Sequence, residues 1–163
     1  MSVLDDWRFC PRCGGSLTPR EDHLACACGA QYWANSIPAV QGILERDGRV
    51  LLARRAIEPR RGHWDLPGGF LTEQETPEDG LRREFLEETG LHVEPVELLR
   101  IDIEPYAGRF VFSVTWSVRG DGAPVPADDV DELRWFGAGE LPELAFPGQS
   151  RVLADWVARQ QHP

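Results

Sequence analysis

Lysine is absent: all 17 basic residues are arginine. Imine chemistry on a lysine amine is therefore excluded, and so is a phosphate-binding loop that depends on lysine. The arginine bias itself carries no functional message. Long apolar runs are missing as well, and no stretch approaches the roughly 18–20 residues that a membrane-spanning helix needs. The segment Met1 to Arg12 has no basic stretch followed by an apolar one, so no secretory leader is expected and the cytoplasm is the default location. Positive charge is also in short supply. A formal net charge of −10 argues against extended contact with nucleic-acid phosphates, so neither a nucleic-acid nor a membrane partner is expected. A small anionic ligand, held by a metal and a few arginines, remains compatible with it.

What is present fits one ordinary domain with a small appendage: 163 residues, 42% apolar and 27% charged. All four cysteines lie at positions 10, 13, 26 and 28, in a stretch with little apolar material. The expected division is a zinc ribbon over 1–35 and a larger α/β domain over 36–163. Cys10-Pro-Arg-Cys13-Gly has the C-x2-C spacing of a zinc knuckle, with glycine allowing the tight turn. The second pair, Cys26-Ala-Cys28, is one residue short, so His23 is an alternative fourth ligand. Four protein ligands leave no open coordination position, which makes the Zn²⁺ role structural. Free thiols, disulfides or a redox function are the competing readings.

In the larger region, Val, Ile and Leu crowd residues 39–46 and 49–55 around Asp47-Gly48, a tight-hairpin signal. A polar, arginine-rich stretch follows from Arg54 to Gly62, then an extended piece from His63 to Leu66. Pro67-Gly68-Gly69 reads as a turn. A helix fits 77–89, with Thr76 as N-cap, Pro77 in the first position, Asp79 closing a capping-box-like pair and Gly90 as the stop. Strands are expected at 93–103, 109–118 and 130–136, with a loop from Gly120 to Asp129. A last amphipathic helix, about 149–160, carries Val152, Leu153, Trp156 and Val157 on one side. This order suggests a mixed sheet sandwiched between helices.

The chemistry lies in Arg83-Glu84-Phe85-Leu86-Glu87-Glu88. Glu84, Glu87 and Glu88 stand at i, i+3 and i+4, on one face of the helix. Carboxylates about 6 Å apart repel by roughly 3 kcal/mol per pair at an effective dielectric of ~20. A divalent cation turns that repulsion into attraction, and clustered carboxylate oxygens suit Mg²⁺ or Mn²⁺. The bland alternative is a solvated acidic face. Against it stand the apolar side made by Leu81 and Phe85, and the glycine turn just ahead, where a backbone can approach a phosphate closely.

The segment Gly69 to Leu91 resembles the signature of the Nudix hydrolase family, G-x5-E-x7-R-E-U-x-E-E-x-G-U with U apolar, at every defined position. The resemblance implies a Nudix α/β/α sandwich with a mixed sheet, preceded here by the ribbon. It implies metal-dependent hydrolysis of a phosphoanhydride in a nucleoside diphosphate linked to another moiety. Glu84, Glu87 and Glu88 then bind Mg²⁺ or Mn²⁺, Arg83 and Glu75 form the supporting pair, and Gly69 admits the phosphate. The water's proton goes to Glu84 or Glu88, or to an acid outside the helix, among Asp128, Asp129, Asp131 and Glu132. Gln74 departs from the glycine common before the first signature glutamate.

A ribbon followed by Tyr32-Trp33-Ala34-Asn35 resembles a Nudix subgroup that cleaves NADH, FAD or ADP-ribose. The aromatic-proline array of the NADH enzymes is lacking over His92 to Tyr106, and Arg54 to Pro59 leading to Trp64 is closer to the FAD-cleaving type. Arg54, Arg55, Arg60 and Arg61 are candidates for holding the diphosphate, against the alternative of a solvated strand edge. Trp64, Phe70, Tyr106 and Phe110 are candidates for stacking on a ring, although most such residues pack in cores. A homodimer is compatible with the family. The alternative function is a non-catalytic nucleotide sensor with the ribbon as interaction module.

Overall fold

Asp47 and Gly48 both have positive φ, 52° and 70°, which two-residue turns of the hairpin-forming kind require. They join strands that run from Ile37 to Arg46 and from Arg49 to Arg55. The computed structural model describes residues 4–160. Ahead of that hairpin lie three short strands, β1 (Leu17–Pro19), β2 (His23–Cys26) and β3 (Gln31–Trp33), paired antiparallel in that order. The hairpin itself is β4 (Ile37–Arg46) and β5 (Arg49–Arg55). After it come β6 (Trp64–Asp65), β7 (Gly68–Phe70), α1 (Pro77–Thr89), β8 (Glu94–Tyr106), β9 (Arg109–Arg119), β10 (Val130–Gly137) and α2 (Pro147–Gln160).

The main sheet runs β10-β5-β4-β9-β8, with β6 paired to β5 and β7 to β4. Only β4 and β9 pair in parallel among the described strands, so the sheet is mixed. Alternation along β4 and β5 sends successive side chains to opposite faces. Val40, Leu44 and Leu51 meet Leu81 and Phe85 of α1 on one face. Ile43, Val50 and Leu52 meet Val152, Leu153 and Trp156 of α2 on the other. Each fully buried side chain of this size stabilises the fold by about 1.5–3 kcal/mol. The result is an α/β/α sandwich. No described helix is long and apolar enough to cross a membrane.

Helix α1 begins and ends where its sequence predicts. Thr76 accepts a hydrogen bond from the Asp79 amide at 3.2 Å, and Gly90 closes the helix in the left-handed conformation at φ 69°. Thr76→Ala is expected to lower unfolding free energy by about 1 kcal/mol, read from urea denaturation.

The glycine turn requires a correction. Gly68–Phe70 is a short strand on β4, with Gln41 opposite Gly68 and Val40 opposite Gly69. A β-carbon on Gly68 would stand 2.2 Å from the Val40 carbonyl oxygen. The glycine lets the two backbones close to pairing distance, a contact that single-sequence turn signals do not encode.

Candidate active site

Strand β7 delivers its backbone directly to the acidic face of α1. The Gly68 amide donates to Glu88 Oε2 at 2.9 Å. A β-carbon on Gly69 would lie 2.5 Å from Glu84 Oε1, so glycine is what allows this approach. Gly69→Ala is expected to push the Glu84 carboxylate aside and lower any metal-dependent turnover by roughly ten- to a hundredfold, with the melting temperature little changed. Parallel activity and thermal-melt assays check it.

Arg83 organises the acids. Its Nε donates to Glu75 Oε1 at 2.6 Å, and Nη2 donates to Glu75 Oε2 at 2.9 Å and to the Phe70 carbonyl at 3.0 Å. Its Nη1 donates to Glu84 Oε1 and Glu87 Oε2, both at 2.8 Å. All five guanidinium donors are thereby spent on protein acceptors. This pairing, with the Thr72 amide, holds the Glu75 carboxyl down to about 2. Glu84 and Glu88 are buried, whereas Glu87 is exposed. Burial raises the Glu84 carboxyl against the pull of Arg83. It raises Glu88 further, against the Gly68 hydrogen bond, and the nearby Asp65, Asp129 and Glu84 add to the rise. One oxygen of each glutamate, Glu84 Oε2, Glu87 Oε1 and Glu88 Oε1, makes no hydrogen bond to the described residues. Each of the three thus keeps an oxygen that could ligate a hard divalent cation.

These three acids line a cavity of about 340 Å³, together with Gly68, Gly69, Phe70, Arg83, Asp128 and Asp129. The volume falls within the ordinary range for small-ligand sites. Of the four arginines singled out in the sequence, only Arg55 lines it. Arg55 is held by Asp65 at 2.7 Å and by the Pro59 carbonyl, and lies over the Phe146 ring. Arg54 instead pairs with Glu132 across the sheet at 3.0 Å, while Arg60 and Arg61 stand exposed in the loop after β5. Strand alternation explains the split between Arg54 and Arg55, because neighbours on a strand face opposite ways. Among the acids considered as proton acceptors, Asp128 and Asp129 reach the cavity, and Asp131 and Glu132 do not. Among the aromatics, Phe70 and Tyr106 reach it. Trp64 packs edge-on against Phe136 in the α2-side core, and Phe110 is exposed elsewhere.

Several lining residues carried no sequence signal. Asp65, Glu104, Ser113, and Phe146 with Gln149 come from four separate segments and meet only in the folded chain. Gln149 donates through Nε2 to Asp65 and, at 2.9 Å, to Gln41. A polar network thus backs the cavity.

The four cysteines converge 18 residues apart in sequence. Cys10 Sγ lies 3.8 Å from Cys28 Sγ, and Cys13 Sγ lies 3.5 Å from Cys26 Sγ. All four sulfurs fall within 4.8 Å of one another, and they are the one such group of potential metal ligands among the described residues. Tetrahedral Zn²⁺ with bonds of about 2.3 Å has sulfur–sulfur edges of about 3.8 Å, so the quartet fits. The Tyr32 hydroxyl, 3.2 Å from Cys10 Sγ, lowers that thiol to about 6. His23 lies apart from the quartet. Its ring stacks on Trp33 and bonds to Asp22 at 2.7 Å.

Comparison with known proteins agrees with this architecture. The NUDIX domain pattern matches residues 36–157. An ADP-ribose pyrophosphatase of Methanocaldococcus jannaschii is 36% identical over 124 residues, 73% of this chain and 72% of that protein. A NAD-capped RNA hydrolase of Vibrio parahaemolyticus is 29% identical over 146 residues. That match takes in 86% of this chain but only 55% of the relative, so the chain spans little more than half that protein's length. Among solved structures, a Nudix hydrolase from Nitrosomonas europaea superposes with a TM-score of 0.81 at 32% identity, covering 96% of this chain and 93% of its own. A pattern matched across most of the chain, on a sandwich whose helical acids meet a glycine strand, leaves one assignment: this chain belongs to the Nudix hydrolase family.

Proposed function

We propose that this protein hydrolyses a phosphoanhydride in a nucleoside diphosphate linked to a second moiety, of the ADP-ribose or dinucleotide type. The observation that carries the proposal is the set of unpartnered oxygens on Glu84, Glu87 and Glu88, lining a cavity beside the Gly68–Gly69 backbone. Those three residues would hold Mg²⁺ or Mn²⁺. When bound, the ion neutralises phosphate charge and lowers the pKa of a coordinated water.

The chain's own groups have distinct parts in this reading. Arg83 has no donor left for substrate, so it orients carboxylates, with Glu75 anchoring it. Gly69 lets the Glu84 carboxylate lie against the strand backbone, at the cavity, where any side chain would push it away. Arg55 offers its remaining guanidinium donors to the diphosphate. Glu88, Glu84, Asp128 or Asp129 accepts the proton of the attacking water. The cysteine quartet would hold a structural Zn²⁺ in a ribbon, residues 1–35, beside a catalytic domain, residues 36–163. Nothing favours the sensor alternative, since every carboxylate of the signature is present.

Relatives named for ADP-ribose and for NAD-capped RNA set the substrates to compare. The second name keeps a nucleic-acid-linked substrate in range despite the acidic net charge. A hydrolysis panel with Mg²⁺ and with Mn²⁺ should contain ADP-ribose, FAD, NADH, NAD-capped RNA, a dinucleoside polyphosphate and nucleoside triphosphates. The expected result is release of a nucleoside monophosphate from one of the first four. Absence of turnover across the panel with both ions overturns the proposal.

A further inference from the structure

The hydrolytic reading leaves two polar side chains in the cavity without work. Glu104 of β8 is only 7% exposed, yet carries no ion pair to the described residues. Its Oε2 accepts from the Gly148 amide at 2.8 Å, which satisfies one amide at the start of α2. Its Oε1 makes no hydrogen bond to the described residues, although the side chain lines the cavity. Ser113 of β9 is 8% exposed, lines the same wall and makes no side-chain hydrogen bond to the described residues. Glu104 pairs with Val111 and Asp102 pairs with Ser113, which makes Glu104 and Ser113 diagonal neighbours on one face of the sheet.

Aromatic side chains stand beside this wall. The Tyr106 ring lies 5.4 Å from both Phe70 and Phe146, edge-on to the first and tilted to the second. The cavity therefore combines ring surfaces for stacking with a carboxylate oxygen that can only accept. Capping α2 needs one acceptor atom. The second oxygen of Glu104 is surplus to that task and faces the cavity as an acceptor that a ligand can use. A ligand with an N–H donor at its edge can bond to that oxygen, whereas one without that donor cannot, and a ligand carboxylate there is repelled.

We propose that Glu104, with Ser113 beside it, selects the substrate's ring: the cavity takes a planar ring bearing an –NH2 group, hydrogen-bonded to Glu104 Oε1 and packed against Tyr106, Phe146 and Phe70. A 6-aminopurine and a pyridine carboxamide both carry that group. The inference rests on the proposed function for the diphosphate's place beside the α1 glutamates. Its test is a binding ratio, independent of turnover.

Calorimetry on the full chain with Mg²⁺ compares two pairs of mononucleotides. AMP is set against purine riboside 5′-monophosphate, which lacks only the amino group. Nicotinamide mononucleotide is set against nicotinic acid mononucleotide, in which the amide is replaced by a carboxylate. In at least one pair the –NH2 member is expected to bind about tenfold tighter or more, and the pair that discriminates identifies the ring. Glu104→Gln turns a donor toward the cavity and is expected to bring that ratio to within about twofold. Tyr106→Leu should weaken all four ligands together and leave the ratio standing, which a mere loss of folding would not do. Ratios within twofold for both pairs in the unmodified chain overturn the inference, as does a ratio that survives Glu104→Gln or the absence of saturable binding by all four. The hydrolysis panel fails or succeeds separately, because it reads cleavage and not ring preference.

Discussion

Glu88→Gln is expected to lower turnover of the cleaved substrate by about three orders of magnitude and to leave the fold intact or slightly more stable. The two effects have one origin. Glu88 is 7% exposed, and burial raises its proton affinity because nothing nearby compensates its charge fully. Glutamine keeps an oxygen for the Gly68 amide, now held at 2.9 Å, so the junction between β7 and α1 persists. What disappears is the negative charge that suits a divalent ion. Removing an uncompensated buried charge relieves the fold while disabling the site, the usual exchange between stability and activity at such positions. Steady-state kcat/KM and a thermal melt on the same preparation test both halves. Turnover within tenfold of the unmodified enzyme sinks the assigned role.

Removing the zinc proposed for the cysteine quartet should unfold residues 4–35 and spare the main sheet. That segment has little else to hold it: Leu4, Cys10 and Leu24 are its only buried apolar side chains among the described residues. Three-residue strands cannot supply the missing core. Apparent zinc-binding free energies in small cysteine sites run to about 10–16 kcal/mol, enough to dominate so short a unit. Cys13→Ser, or a strong chelator, is therefore expected to abolish amide protection across residues 9–33. Exchange in β4, β5 and β9 should stay slow. Hydrogen exchange read by mass spectrometry, with elemental analysis for about one zinc per chain, checks this. Protected ribbon amides in demonstrably metal-free protein would refute it.

The legible parts of the molecule were those whose signals are local. Helix α1 declares itself through Thr76, Pro77 and Gly90, all within one turn of its ends. Asp47-Gly48 specifies its hairpin because both residues tolerate positive φ. The longer strands were foreseen within three residues at each end, and β8 outran its expected limit by continuing through Glu104 to Tyr106. That extension mattered, since it brings both side chains into the cavity wall.

By itself, the sequence determined which chemistry is available. Helical geometry is fixed at 3.6 residues per turn, so the spacing of Glu84, Glu87 and Glu88 places three carboxylates together before any packing is known. The C-x2-C spacing likewise limits what the thiolates can do. Tertiary structure alone decided who shares that space. It selected Arg55 over Arg54, Arg60 and Arg61, turned Trp64 into the core, and drew Glu104, Ser113, Phe146 and Gln149 to one wall. Those residues come from strands and a helix far apart in the chain, and only burial of the two apolar faces of the sheet brings them within reach of one ligand.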